Sequence, residues 1–274
     1  KHCHITTNIV SLFDIKFNPF LQIDRDARLD QIKNLSSKIK LQLSQVDIAS
    51  EDEILSSFFG CINATLRTNY YQLSSQKDFK GYLSFKFNSA KVPNLPLPHP
   101  YAEIFVYSSE VEAIHLRGGE VARGGLRWSD RIQDYRTEVL GLMKAQMTKN
   151  AVIVPVGSKG GFVVKSDLSG LDRQQAQEVA IKCYKTFLRG ALDITDNVIN
   201  SKIKHPQNAI IYDGADPYFV VAADKGTATF SDIANSVSKE YGFWLEDAFA
   251  SGGSQGYDHK KMGITAKGAW VCVE

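Results

Sequence analysis

The sequence predicts an α/β domain, a layered mixed sheet flanked by helices, preceded by a mostly helical N-terminal segment. Three observations carry this. Residues 24–47 and 50–72 repeat apolar side chains at helical spacing. After Tyr101, short β-branched and aromatic runs alternate with longer helical stretches, the pattern of a layered α/β domain. Between them lies "KVPNLPLPHP" (91–100), a proline-rich connector that neither a helix nor a central strand accommodates.

The elements follow in order. Leu29, Ile32, Leu35 and Ile39 mark the apolar stripe of the first predicted helix, which acids open at its positive end. Ser50 and Glu53 form an S-x-x-E capping box before a face of Ile54, Leu55, Phe58, Phe59, Ile62 and Leu66. "GYLSFKFN" (81–88) alternates as a strand does, and further strands are expected at 102–108, 111–117, 151–157 and 161–165. Helices are expected near 129–149, with Ser129 as cap, and at 172–192 and 231–241. The N-terminal helices either pack on the α/β layer or form a small unit of their own.

The chain has 274 residues, 43% of them hydrophobic and 23% charged, a composition that supports a packed core. A net charge of +2 gives no field for nucleic acid, and no apolar run is long enough for a membrane span. Cys3, Cys61, Cys183 and Cys272 stand far apart, so free thiols in a reducing compartment are expected. His2, Cys3 and His4 have the residue types of a metal clip, but a frayed terminus is the simpler reading, and no metal is assigned. The first residue is not methionine and the last segment is "GAWVCVE", which leads to the expectation of a piece from a longer protein.

The chemistry concentrates in "HLRGGEVARGGLRWSDR" (115–131), where Arg117, Arg123 and Arg127 interleave with two Gly-Gly pairs. Glycine lets a ligand approach the backbone, and arginine offers a planar fork to carboxylate or phosphate, so a glycine turn that binds an anion is expected. Gln146 and Lys149 share a helix face, and Lys159 follows the predicted strand on the glycine-rich turn "GSKGG". If Arg123, Lys149 and Lys159 converge, mutual repulsion of the cations favours a neutral lysine able to act as a base. Asp213 and Asp216 stand close enough to suggest a metal, whereas Asp224 ends a strand-like run from which a carboxylate reaches into a cleft. No P-loop, G-x-G-x-x-G, G-x-S-x-G or H-E-x-x-H spacing occurs.

Taken in order, Arg123-Gly-Gly-Leu-Arg127, Gln146-Met-Thr-Lys149, Gly157-Ser-Lys159-Gly-Gly and Ala222-Ala-Asp224-Lys-Gly226 resemble the glutamate dehydrogenases, specifically their large NAD-dependent class. "YRTEVLGL" and "YGFWLEDAFASGG" extend the likeness, which runs from about Ala102 to Trp270. The first cation is Arg123 here where the small enzymes of the superfamily usually carry Lys. The resemblance implies an amino-acid dehydrogenase substrate domain at 101–264, with 1–100 a helical segment and 265–274 the start of a helix toward a Rossmann domain missing from this chain. It implies L-glutamate and 2-oxoglutarate as ligands, NAD as the cofactor of the parent enzyme, and a homo-oligomer in the cytoplasm. Lys149 with Gln146 would hold the α-carboxylate, Arg123 the side-chain carboxylate, with Ser254 as helper. Lys159 would activate water, and Asp224 would shuttle protons. Two other readings stay open: a leucine, phenylalanine or valine dehydrogenase domain, and a non-catalytic anion or amino-acid sensor. The chain by itself is expected to be inactive, so glutamate and NAD added to it should give no NADH absorbance above blank; turnover would contradict the missing hydride-acceptor domain.

Overall fold

The computed structural model describes residues 2–74, 78–147, 156–254 and 259–273. Three helices come first, α1 (Cys3–Phe17), α2 (Arg25–Leu43) and α3 (Ala49–Ala64), packed around Ile5, Ile9, Leu12, Ile39, Leu43 and Phe59. The N-terminus does not fray as expected: the chain is helical from Cys3, and His2 Nε2 lies 2.7 Å from Glu51 Oε2. Asp24 caps α2 by accepting the Ala27 N–H at 2.8 Å, as the opening acids predict. The Ser50/Glu53 box does not form, because α3 already starts at Ala49 with Ile48 as its uncapped N-terminal residue. At the other end of α3, the buried Lys16 ammonium of α1 donates to the carbonyls of Ile62, Asn63 and Thr65 at 2.7, 2.9 and 2.7 Å. Those carbonyls lack helical partners, so one lysine satisfies the helix end and ties α1 to α3.

The chain then alternates: β1 (Thr65–Thr68), β2 (Leu83–Phe87), β3 (Ala102–Tyr107), β4 (Val111–Arg117), β5 (Ala122–Trp128), α4 (Tyr135–Met147), β6 (Val156–Val164) and α5 (Arg173–Leu192). A small hairpin of β7 (Asn197–Ile199) and β8 (Lys202–Lys204) follows, then β9 (Val221–Ala223), α6 (Ser231–Glu240), β10 (Ala250–Ser251), α7 (His259–Met262) and α8 (Ile264–Val273). Eight strands form one mixed sheet in the order β1-β2-β3-β4-β6-β5-β9-β10. The half from β1 to β6 is antiparallel, and the half from β6 to β10 is parallel. The α/β layered class read from the sequence holds, and strands from both sides of the proline-rich stretch share this sheet.

Three local expectations change. Residues 65–68, read as the tail of a helix, are strand β1; Thr65 is extended, and its hydroxyl bonds back to Cys61 O at 2.7 Å. Of the two glycine pairs, Gly124-Gly125 is not in a turn but inside strand β5, whereas Gly118-Gly119 lies in the bend that joins β4 to β5. Residues 156–164 form one continuous strand, so Lys159 lies inside β6 rather than on a turn beyond a strand. The predicted strand at 151–155 lies outside the described residues.

Helices cover both faces because the crossovers reverse direction. The β5-α4-β6 unit steps one way along the sheet, and the path from β6 through α5 to β9 steps back across β5. Crossovers of one hand that run in opposite directions place their helices on opposite faces. Side chains alternate accordingly. On one face α4 contributes Tyr135, Val139 and Met143 to a cluster with Ile114, Leu116 and Val163. On the other, Ala180, Tyr184, Phe187 and Ala191 of α5 pack on Ala113, Leu126, Phe162 and Val164.

The α5 face also buries an ion network. Arg67 donates to Asp196 Oδ1 and Oδ2 at 2.9 and 3.2 Å, to Asp213 Oδ1 at 2.6 Å, and to two backbone carbonyls. Lys86 bridges Asp213 and Asp216, and Arg117 forks onto Asp216. Asp213 and Asp216, the two close acids of the sequence, are thus paired with side-chain cations. Burial raises the Asp216 carboxyl, but Arg117 and Lys86 outweigh it and hold the group at about 2. Because the folded value lies below the ordinary 3.8, the stabilisation is complete above that pH and disappears as pH falls through about 2. Denaturant titrations between pH 5 and 2 should show stability falling by about 2 kcal/mol from this group. Arg67→Met removes the buried guanidinium shared by Asp196 and Asp213, leaving only His205 and Lys86 as their side-chain partners, and should cost about 3–5 kcal/mol in the same assay at neutral pH; a loss under 1 kcal/mol would show the network to be dispensable.

Candidate active site

The α4 face of the parallel half carries the site. Along β5, Arg123, Gly125 and Arg127 alternate onto this face, and along β6 so do Gly157, Lys159 and Gly161. The register sets Arg123 opposite Gly157, and Leu126 opposite both Gly160 on β6 and Ala223 on β9. Lys159 therefore faces Gly125, with Asp224 just past the end of β9 on the far side. Its ammonium reaches across β5 and donates to Asp224 Oδ2 at 2.6 Å. Both side chains are only about one-sixth exposed (15% and 16%), which strengthens the pair relative to a surface one.

Glycine makes this reach possible. A Cβ on Gly125 would stand 2.8 Å from Asp224 Cβ and 2.9 Å from the Ala223 carbonyl oxygen. At Gly124, on the other face, it would fall 1.6 Å from the Ser158 carbonyl oxygen. The Gly-Gly pair of the arginine motif thus serves close strand packing rather than a turn.

Asp224 is held from several directions. Its Oδ1 accepts from the Lys225 N–H at 2.7 Å and from Arg127 at 3.3 Å, while its own N–H donates to Thr227 Oγ1 at 3.0 Å. Thr227 in turn donates to the Leu126 carbonyl at 2.6 Å, which anchors the turn to β5. Burial raises the Asp224 carboxyl, but Lys159, the Lys225 amide and Arg127 together leave it below its ordinary value.

The other expected residues separate into those the structure brings here and those it does not. Arg123 is exposed and makes no hydrogen bond or ion pair among the described residues, so its fork is open to an anion. Gln146, on the last turn of α4, lies over Gly157, with its Cβ 2.7 Å from where a Gly157 Cβ would be. Its Oε1 is buried and finds no partner among the described residues, a polar atom available to a ligand. Ser254 is engaged elsewhere: its N–H and hydroxyl both donate to Asp232 Oδ1, at 2.7 and 2.9 Å. Lys149 lies outside the described residues. Lys159 makes an ion pair with Asp224, and the convergence with Lys149 expected from the sequence falls on residues outside those described.

Sequence reasoning missed Glu138 and Ser129 as members of the site. Helix α4 begins at Tyr135, not at Ser129, whose hydroxyl instead donates to Glu138 Oε2 at 2.6 Å. Arg127 donates to Glu138 Oε1, also at 2.6 Å. The spacing that held the signal is Arg127 to Glu138, from mid-strand to the first turn of the next helix, and such pairs become legible only once the βα connection is known. Larger openings lie elsewhere, a polar cleft of about 530 Å³ beside Asp193 and an apolar groove of about 700 Å³ lined by Phe58, Phe85 and Phe105. Neither is lined by Lys159 or Asp224.

The fold and this face define an α/β domain that presents a lysine–aspartate pair beside an open arginine. The chain belongs to the family described as bacterial NAD-glutamate dehydrogenase, catalytic domain, whose model matches residues 38–274. It is 54% identical over 274 residues to an NAD-specific glutamate dehydrogenase of Halomonas elongata and 56% identical over 273 to one of Pseudomonas aeruginosa. A Mycobacterium tuberculosis protein of the same name is 49% identical over 285 residues. Each alignment covers all of this chain but only 17% of the relative, so the chain spans about a sixth of their length.

The residues here do not themselves fit a dinucleotide. Among the described residues, the one glycine between β9 and α6, Gly226, is packed against Trp128, 2.9 Å from an added Cβ to Trp128 Cβ. The connection from β5 to α4 contains no glycine. No phosphate cradle at a helix N-terminus is therefore assigned within this chain.

Gly125→Ala should lower stability by about 1–3 kcal/mol through overpacking, whereas Gly141→Ala, on α4 with nothing within 4 Å of the new methyl, should raise it by about 0.5–1 kcal/mol. Chemical denaturation of both variants checks the contrast; equal effects would mean that close packing at Gly125 is not required.

Proposed function

We propose that this chain is the substrate-binding, catalytic domain of an NAD-dependent glutamate dehydrogenase. The longer protein would convert L-glutamate, NAD and water to 2-oxoglutarate, ammonia and NADH. The observation that carries the reading is the 2.6 Å contact between Lys159 and Asp224 on a face that also offers the Arg123 fork and Gln146 Oε1, both without a partner among the described residues. The names and identity of the relatives support it. NAD, bound by the longer protein, supplies the hydride acceptor; no step assigned to this chain depends on its geometry.

Each residue then has a task. Arg123 takes the side-chain carboxylate, and its planar fork matches both oxygens. Gln146 and Lys149 hold the α-carboxylate, and Ser254 helps once it leaves Asp232. Oxidation leaves 2-iminoglutarate, whose carbon must be attacked by water. Lys159, as the neutral amine, takes a proton from that water while the oxygen bonds to the imine carbon. Asp224, as the protonated acid, gives its proton to the nitrogen, which makes a carbinolamine. Once Lys159 has returned its proton to Asp224, Asp224 protonates the amine, Lys159 takes the hydroxyl proton, the C=O bond forms as the C–N bond breaks, and ammonia leaves. The short bond between the two side chains is the path by which the proton gained by Lys159 passes back to Asp224. A cation for the second carboxylate favours glutamate over leucine, phenylalanine or valine as substrate. A cytoplasmic homo-oligomer fits the four cysteines, all free. Among the described residues no helix is long and apolar enough to cross a membrane.

In the longer protein, Lys159→Ala should reduce kcat by about 10²- to 10⁴-fold with the thermal midpoint preserved. Arg123→Ala should chiefly raise KM for glutamate. Steady-state rates with glutamate varied would decide; a Lys159→Ala enzyme with near-normal kcat would overturn the assignment.

A further inference from the structure

Two carboxylates compete for one guanidinium beside the proton-transfer pair. Arg127 gives Nη1 to Glu138 Oε1 at 2.6 Å, but its Nη2 reaches Asp224 Oδ1 only at 3.3 Å. Its Nε is buried without a partner among the described residues, so the fork does not close on either acid. Glu138 is fixed on its other oxygen by the Ser129 hydroxyl at 2.6 Å. Asp224 Oδ2 is thereby left to a single short bond from Lys159.

We propose that Glu138 is a positioning residue that holds Arg127 back from Asp224, so that Asp224 can exchange its proton with Lys159 rather than being locked as a bidentate arginine partner. The inference rests on the reading of Lys159 and Asp224 as that proton-transfer pair. Its physical basis is the strength of an arginine–carboxylate fork, roughly twice that of neutral hydrogen bonds. A full fork on Asp224 would stabilise the carboxylate and weaken it as a base, and would pull it away from Lys159. By occupying Nη1, Glu138 limits Arg127 to one long contact.

The charged surroundings are few. From β6, Lys159 faces Asp224; from β5, Arg127 faces both acids; from the turn after β9, Lys225 offers its backbone N–H while its ammonium lies 4.0 Å from Asp130. Glu138 also feels Arg131, which is forked onto Asp134. Burial raises the Glu138 carboxyl, but Ser129, Arg127 and Arg131 leave it below its usual value, consistent with a standing anion that retains Arg127.

The test uses the longer enzyme, with glutamate oxidation followed across pH. Glu138→Gln keeps the shape but removes the charge, so Arg127 should swing fully onto Asp224. The acid limb of the kcat profile should then move down by about one pH unit, as for a carboxylate newly paired with arginine. At the pH optimum kcat should drop about 10-fold, since the pair is a general acid–base device worth 10²- to 10⁴-fold in all. KM for glutamate should stay within about two-fold, because Arg123 and Gln146 are untouched; a purely structural role would not move the limb while sparing KM. Ser129→Ala, which frees Oε2 of Glu138, should shift the limb the same way by less, and it carries the test if Glu138→Gln does not fold. Asp224→Asn separates the two ideas. If it retains full turnover, the reading of the pair falls. If it is inactive while Glu138→Gln and Ser129→Ala leave both limb and kcat unchanged, the positioning role is overturned and the pair stands.

Discussion

The site depends on the absence of side chains from the middle of β5. Gly124 and Gly125 let three parallel backbones close on one another, at separations that an added Cβ would make impossible. Across that gap the Lys159 ammonium, rooted in β6, meets a carboxylate rooted past β9, two strands away. An alanine would fill the space through which the lysine passes. Gly125 is therefore part of the electrostatics, because a side chain there would press on Asp224, the partner of the lysine.

The sheet places a closed ion network on one face and the candidate site on the other. Side chains that alternate to the α5 side feed the Arg67, Lys86 and Arg117 network, where every cation has carboxylate partners and the geometry is closed. Between the strand network and Phe219, His115 is buried with both ring nitrogens unpartnered among the described residues, and burial pulls it down to about 3, so it is neutral there. The α4 face is the opposite case. Among the described residues Arg123 and Gln146 Oε1 have no partner, and Arg127 is divided between two acids. A face that leaves polar groups unpaired gives up stability, as functional sites do.

Much of this was legible in the residues, and the failures have a common cause. Helical spacing at 24–47 and the alternation of strands and helices after Tyr101 depend on local periodicity, and the structure keeps them. The Gly124-Gly125 pair was misread because glycine pairs usually signal turns, whereas here packing with β6 and β9 holds it extended. Lys159 was misplaced onto a turn for the same reason. The Ser50/Glu53 box lost to a helix start one residue earlier. The role of Asp213 and Asp216 is hidden in the sequence because their partners, Arg67, Lys86 and Arg117, are about 100 to 150 residues away, a separation that no window reveals. Glu138 was invisible for the same reason on a smaller scale.

The account's central claim is that the Lys159–Asp224 pair, flanked by Arg123 and Gln146, is where the substrate reacts. A crystal structure of this chain with 2-oxoglutarate tests it most directly. The expected result is the ketone beside Lys159 and Asp224, its oxygen about 3 Å from the ammonium, with the distal carboxylate on Arg123 and the other toward Gln146. Ligand bound instead in the polar cleft beside Asp193, with the lysine–aspartate pair untouched, would contradict it.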